Sequence, residues 1–290
     1  MSTKNESYLV GLIGEGITPS LTPPMHEAEA EHHRLRYLYR PIDLTAIERR
    51  GSDVGELLRA AHDMGYNALN ITHPCKQLVL EHLDGLTADA RALGAVNTVL
   101  ISDGEFIGHN TDGTGFAQAL RTGLPGVPLE RVLQIGVGGA GAAVAHALLG
   151  AGVRHLVLVD LDPARVAERV AALSAAFPGS TISAATPAGI PAELAAANGL
   201  VNATPIGMYQ HRGSPIDVSL LDPGHWVADV VYRPVDTELI VAARAAGCRT
   251  LDGGHMAVGQ AVDAFRLITG LEPDAQRMRS HFLSMLERGL

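Results

Sequence analysis

Residues 132–160 read Val-Leu-Gln-Ile-Gly-Val-Gly-Gly-Ala-Gly-Ala-Ala-Val-Ala-His-Ala-Leu-Leu-Gly-Ala-Gly-Val-Arg-His-Leu-Val-Leu-Val-Asp, and this stretch decides the fold. Val132–Ile135 is a short apolar run of strand type. Ala142–Leu149 has a helical pattern, and His155–Val159 is a second strand that ends at Asp160. Strand, glycine-rich turn, helix and strand make one βαβ unit, whose strands pair in parallel through a right-handed crossover. Within the turn, Gly136 permits the tight bend, Gly138 lets backbone approach a pyrophosphate, and Gly141 lets helix and strand pack closely. Gly139 and Ala140 complete a helix N-terminus whose unpaired N–H groups and dipole favour phosphate. Asp160 follows Gly136 by 24 residues, close to the ~20 of an acid that accepts from the adenosine ribose hydroxyls. Its carboxylate would repel a 2′-phosphate. No basic residue stands immediately beside it, and the nearest, Arg165, lies on the following helix. The expected cofactor is therefore NAD, with NADP the less favoured choice.

The pattern extends outward from this unit. Asp162 and Pro163 suit a helix start, with Val166, Val170, Leu173 and Phe177 on one face. Further strands are expected at Gly199–Asn202 and Val227–Val231. Upstream, Tyr8–Ile13 reads as a strand and Pro24–Arg34 as a helix. Asp53 with Glu56 resembles a capping box that opens a helix through Met64, and Ala68–Ile71 is a short buried strand ended by Pro74. Met278, Phe282 and Met285 mark a C-terminal helix face. The expected architecture is α/β in two domains. An N-terminal α/β substrate domain spans 1–114, a doubly wound dinucleotide-binding domain of Rossmann type spans 115–256, and C-terminal helices over 257–290 pack back on the first.

Composition narrows the function classes. The 290 residues are 47% hydrophobic, enough for a packed core. Lys and Arg number 22 against 31 Asp and Glu, a net charge of −9, and aromatics are 4%. That balance argues against a nucleic-acid partner, which needs clustered cations and stacking platforms. No apolar run approaches the ~20 residues of a membrane helix, and the N-terminal apolar stretch is too short for a signal peptide. Cys75 and Cys248 have neither disulfide nor metal spacing. The expectation is a soluble cytoplasmic protein with no metal, nucleic-acid or membrane partner; the oligomeric state, a homodimer included, is left open. His26, Glu27, Glu29, Glu31, His32 and His33 fail the H-E-x-x-H metal pattern because residue 30 is alanine, and read as a solvated helix face. Cys75 reads as a space-filler, and His73 and His109 as neighbours without a role.

Three polar segments are not explained by packing: Ser20-Leu21-Thr22-Pro23-Pro24-Met25-His26, Asn70-Ile71-Thr72-His73-Pro74-Cys75-Lys76, and Gly108-His109-Asn110-Thr111-Asp112-Gly113-Thr114-Gly115-Phe116. The glycine turn, Asn202-Ala203-Thr204-Pro205-Ile206-Gly207-Met208 and Gln260-Ala261-Val262-Asp263-Ala264-Phe265 accompany them. Together, over nearly the whole chain, they resemble the shikimate/quinate dehydrogenase family, most of all its NAD-dependent quinate/shikimate subgroup. The resemblance implies an oxidoreductase acting on a ring hydroxyl of shikimate and quinate, giving 3-dehydroshikimate and 3-dehydroquinate, with its active site in the cleft between two domains. It implies Lys76 as the catalytic lysine and Asp112 as its paired aspartate. Ser20 and Thr22 match the hydroxyl pair that holds the substrate carboxylate. Thr72, Asn97, Asn110 and Gln260 match groups that bond the ring hydroxyls, and Tyr232 matches a tyrosine near carboxylate and nicotinamide. Thr204, Pro205 and Met208 match the cofactor pocket, and Gly254 falls near its nicotinamide end. Ser20-Leu21-Thr22 departs from the commoner Ser-x-Ser in the direction of relatives that also accept quinate. Gly259 before Gln260, and Gly253-Gly254-His255, depart from close relatives and put the loop over the nicotinamide in question.

The chemistry coheres without the family. Oxidising a secondary alcohol needs a hydride acceptor at the carbon and a proton acceptor at the oxygen. Lys76 can exchange that proton while Asp112 stabilises the ammonium. Asp112 raises the lysine pKa, whereas burial and the positive nicotinium lower it, and the sequence leaves the winner open. Two alternatives stand beside this reading: an NADP-dependent, shikimate-only enzyme of aromatic amino-acid biosynthesis, and a catalytically inactive nucleotide-binding module, against which an intact Lys76 and Asp112 count.

Overall fold

The computed structural model describes residues 7–289. The chain divides into two compact units, one of Met1–Thr111 with Gln260–Leu290 and the other of Asp112–Gly259.

The first unit holds strands β1 (Ser7–Gly14), β2 (Arg36–Asp43), β3 (Ala68–Ile71), β4 (Gly85–Leu86), β5 (Thr98–Ser102) and β6 (Glu105–His109), in the sheet order β2-β1-β3-β5-β6-β4. Helices α1 (Thr22–His32), α2 (Val54–Asp63), α3 (Cys75–Leu78) and α4 (Ala88–Leu93) connect them. β1 pairs in parallel with β2 and β3, but β5 is antiparallel to both β3 and β6. Parallel pairing throughout does not hold here. Asp103 and Gly104, both at positive φ (54° and 86°), make the two-residue turn that folds β6 back on β5. One consequence positions the site. The C-terminal ends of β1, β3 and β6 and the start of β5 all fall at one edge of the sheet.

One face of this sheet is covered by Leu44, Val54, Leu58 and Val79, the other by Ile17, Ala30 and Phe265. The His/Glu run on α1 is not a solvated face. His26 is fully buried, its Nδ1 3.0 Å from the Tyr37 hydroxyl, with Tyr39 and Phe265 edge-on. Burial drives its pKa down to about 3 against the opposing backbone carbonyl of Ala261 and the charge of Glu29. Glu29 is also buried and accepts from the Arg277 guanidinium and from the Asp274 N–H. The physical reason is tertiary: α1 packs on β2 and on α11 (Ala275–Glu287), so only part of its circumference meets water. The capping box is displaced too. The Asp53 carboxylate accepts from Arg50 N–H at 2.9 Å, in a tight turn before α2, while Glu56 reaches Arg49.

The second unit contains β7 (Arg131–Ile135), β8 (His155–Val159), β9 (Thr181–Ala185), β10 (Gly199–Asn202), β11 (Trp226–Asp229) and β12 (Arg249–Leu251). They form one parallel sheet in the order β12-β11-β10-β7-β8-β9. Helices α5 (Asp112–Gly123), α6 (Gly139–Gly150), α7 (Pro163–Ala176), α8 (Ile190–Ala195) and α9 (Glu238–Ala245) accompany it. α10 (Gly253–Thr269) starts in this unit and ends among residues of the other. Numbered within the unit, the order is 3-2-1-4-5-6, that of the doubly wound dinucleotide fold. Val132, Leu156, Leu158 and Trp226 enter one apolar cluster, and Leu133, Val157, Val159 and Val227 the other, so both faces of the strands are buried. Among the described residues, no helix is long and apolar enough to cross a membrane, and no cluster of three His, Cys, Asp or Glu groups could hold a metal ion.

Candidate active site

The glycine turn follows β7 at the point where the sheet reverses order, between β7 and β10. Crevices at such switch points bind ligands in open α/β sheets. Gly136 has φ +95°, and a Cβ there would lie 2.6 Å from the Ala203 carbonyl oxygen. At Gly141 a Cβ would lie 2.3 Å from the Gly136 carbonyl oxygen, so the first turn of α6 sits directly on the loop. A Cβ at Gly138 or Gly139 meets nothing within 4 Å, which leaves the helix N-terminus open to a ligand. A cavity of about 360 Å³ adjoins these two glycines, and Ala140, Thr204, Pro205, Met208 and Tyr232 line it. Tyr232 is 37% exposed.

Buried polar groups that the sequence reading missed hold this crevice in shape. Gln134 is fully buried and its Nε2 donates to the carbonyls of Gly136 (2.8 Å) and Gly141 (2.7 Å), bracing the turn. Its one sequence signal is a carboxamide inside an otherwise apolar strand. On the opposite wall, Asn202 donates to the Ile206 carbonyl and to Asp229 Oδ1, both at 2.9 Å. Its own oxygen accepts the Thr204 N–H and hydroxyl. Asp229 also accepts from Val231 N–H and from the Thr237 hydroxyl. Burial pushes the Asp229 carboxyl up to about 6 despite those three donors, and the charge of Asp252 adds to the rise.

Asp160 ends β8 beside the turn. Oδ2 accepts Val137 N–H at 2.9 Å and Oδ1 accepts Asp162 N–H at 3.1 Å. The Arg165 guanidinium, half exposed, lies 3.8 Å from Asp160 and 3.4 Å from Asp162. Although Arg165 stands five residues on in sequence, the first turn of α7 brings it back to the carboxylate. An open cradle of N–H groups, a braced glycine turn and a carboxylate at the next strand end fit a dinucleotide.

In the first unit, the sheet edge described above gathers the polar segments. Ser20 lies in the loop after β1, and its Oγ accepts Thr22 N–H at 3.3 Å, with Thr22 opening α1. Thr72 follows β3, and Lys76 lies in α3, whose backbone is tied to the next segment by Val96 N–H on the Lys76 carbonyl. Beside it Cys75 is fully buried, and burial pushes its thiol up to about 11, which fits a space-filler. Asn97 is largely engaged within the protein. Its oxygen accepts from Thr111 N–H and the Thr98 hydroxyl, and its Nδ2 donates to the Thr111 hydroxyl. Thr111 in turn donates to the Gln260 carbonyl. Asn110 is buried and donates to the Ala95 carbonyl. Asp112, which belongs to the second unit, is the first residue of α5 and is buried.

The two departures around α10 have packing reasons. The segment 253–255 is not a loop but the first turn of α10, capped by Asp252 on Gly254 N–H at 3.0 Å. A Cβ at Gly253 would lie 2.3 Å from the Val231 carbonyl oxygen, and one at Gly259 would lie 2.7 Å from that of Gly115. Both glycines allow close backbone approach.

Comparison with known proteins agrees with this architecture. The shikimate dehydrogenase substrate-binding domain matches residues 12–99. A shikimate dehydrogenase (NADP(+)) of Arthrobacter sp. (strain FB24) is 63% identical over 99% of this chain and 98% of its own length. A quinate/shikimate dehydrogenase (NAD(+)) of Corynebacterium efficiens is 52% identical over 97% of this chain and 99% of its own. The solved quinate dehydrogenase of Corynebacterium glutamicum in complex with NAD superposes with a TM-score of 0.93, at 50% identity, covering 97% of this chain and all (100%) of that one.

Proposed function

The chain belongs to the shikimate/quinate dehydrogenase family, and we propose that within it this protein is an NAD-dependent dehydrogenase of both shikimate and quinate. The observation that carries the cofactor choice is the Asp160 carboxylate, fixed at the end of β8 by Val137 and Asp162 N–H groups. Held there, it accepts from the adenosine ribose and repels a 2′-phosphate. Gly138, Gly139 and Ala140 would receive the pyrophosphate, with Thr204, Pro205, Met208 and Gly254 around the remainder. A bound nicotinamide supplies the hydride acceptor. Lys76 exchanges the carbinol proton, with Asp112 as its paired carboxylate. Ser20 and Thr22 hold the substrate carboxylate, and Thr72, Asn110 and Gln260 the ring hydroxyls, with Tyr232 near the carboxylate. Asn97 belongs with these ring-hydroxyl groups, beside the Thr111 that it holds.

A second reading rests on Arg165. Its guanidinium stands 3.8 Å from Asp160, where it could receive a 2′-phosphate, and the Arthrobacter relative is named for NADP. Initial rates for shikimate and quinate, each with NAD and NADP, decide between them. Preference for NAD with turnover of both acids supports the proposal; preference for NADP without quinate oxidation establishes the shikimate-only enzyme.

A further inference from the structure

The loop between β1 and α1, residues 15–21, carries Ser20 and leads into Thr22, and little of it belongs to regular structure. A hydroxyl pair on such a loop can discriminate only if the loop itself is held. Asp43, the last residue of β2, does this holding. Its Oδ1 accepts Gly16 N–H at 2.9 Å and Thr45 N–H at 3.1 Å, and its Oδ2 accepts Thr18 N–H at 2.9 Å and the Thr18 hydroxyl at 2.7 Å. Three of these four donors belong to the loop. Asp43 is buried, and among the described residues no cation pairs with it. Burial raises its pKa, but the hydrogen bonds from Thr18, Gly16 and Thr45 outweigh that and bring it to about 2, so it is ionised at any working pH. A buried carboxylate with four oriented donors and no counter-cation is a positioning device, since its bonds fix geometry and its charge can only repel a bound acid.

We propose that Asp43 is a positioning residue for substrate recognition: it clamps the 15–21 loop so that the Ser20 and Thr22 hydroxyls converge on the substrate carboxylate. This rests on the reading that those two hydroxyls bind that carboxylate. Nothing in the sequence around Ser20 points to it, because Asp43 lies 23 residues further on and reaches the loop only through the β1–β2 pairing.

Asp43→Asn tests it, because an amide would point N–H at the Thr18 N–H and release the loop there with almost no change of shape. The KM for shikimate is expected to rise about tenfold, equivalent to about 1.4 kcal/mol or one hydrogen bond to a charged group. The kcat is expected to change less than about threefold, and NADH affinity, read by fluorescence titration, to stay put. For methyl shikimate, which lacks the acid, the variant and the parent should bind alike in inhibition assays. A shikimate KM unchanged in Asp43→Asn, or a loss shared equally by the ester, overturns the proposal. Ser20→Ala is the control: if it leaves the shikimate KM unmoved, the carboxylate reading itself fails, whatever Asp43 does. Should Asp43→Asn not fold, Thr18→Val removes one clamp bond, and the same selective rise, smaller, is required of it.

Discussion

The proposed cofactor preference rests on Asp160 and Arg165. The acid is anchored by two backbone N–H groups, whereas the arginine is half exposed and shared with Asp162. Asp160→Ala should weaken NADH binding by about 1.5–3 kcal/mol, the worth of hydrogen bonds to a charged group, and improve NADPH binding by freeing Arg165. Parallel fluorescence titrations with the two cofactors check this, and an unaltered ratio would remove Asp160 from the choice. Lys76 should behave differently. Lys76→Ala is expected to lower kcat by about 10²–10⁴, the usual share of a positioned proton-transfer group, with NADH affinity nearly intact; near-native turnover would exclude it from the chemistry. At this scale the glycine turn and an acid directly after the second strand were legible, because their spacing is local. Asp43, Gln134, Asn202 and Asp229 were not, because each acts on residues that only strand pairing or a crossover brings near.

At the scale of elements, the β7–α6–β8 unit was readable from its periodicity and turn, although α6 begins at Gly139, inside the glycine segment, and β11 ends at Asp229. The β5–β6 hairpin was missed although Asp103-Gly104 is a hairpin signal, since neighbouring strand–helix alternation suggested parallel pairing. The α1 misreading came from treating charge as exposure, when Arg277 on a helix some 250 residues away supplies the partner that lets Glu29 be buried. The glycine turn offers a test that separates packing from binding within one element. Gly141→Ala forces a Cβ against the Gly136 carbonyl oxygen and should cost about 1–3 kcal/mol of stability, as overpacking does. Gly138→Ala meets open space, so its melting temperature should hold while cofactor affinity falls. If both variants lose stability equally, or if Gly138→Ala binds NADH normally, the open cradle is not where the phosphates sit.

For the whole molecule, buried titratable groups set how stability follows pH, and two of them pull in opposite directions. His26 is held neutral, with its pKa depressed to about 3, so its contribution is present at neutral pH and is lost as pH falls below about 6.5. Asp229, raised to about 6 chiefly by burial, has the reverse sign. Between about pH 4 and 6 the folded state keeps a proton on Asp229 that the unfolded chain has released. Its stabilisation is therefore complete below about pH 4 and lost as pH rises through 6, a change of about 3 kcal/mol at 1.36 kcal/mol per pKa unit. Asp229→Asn cannot titrate, yet its oxygen still accepts from Val231 and Asn202 and its amide can face the Thr237 hydroxyl. Relative to the parent, this variant should gain stability steadily from pH 4 to pH 7, so the gap between the two urea-unfolding free energies widens in its favour by about 3 kcal/mol across that range. Because every other group, His26 included, is common to both proteins, the difference isolates Asp229. A gap that does not move with pH would mean that the carboxyl beneath the crevice wall is ionised throughout, its three donors outweighing its burial.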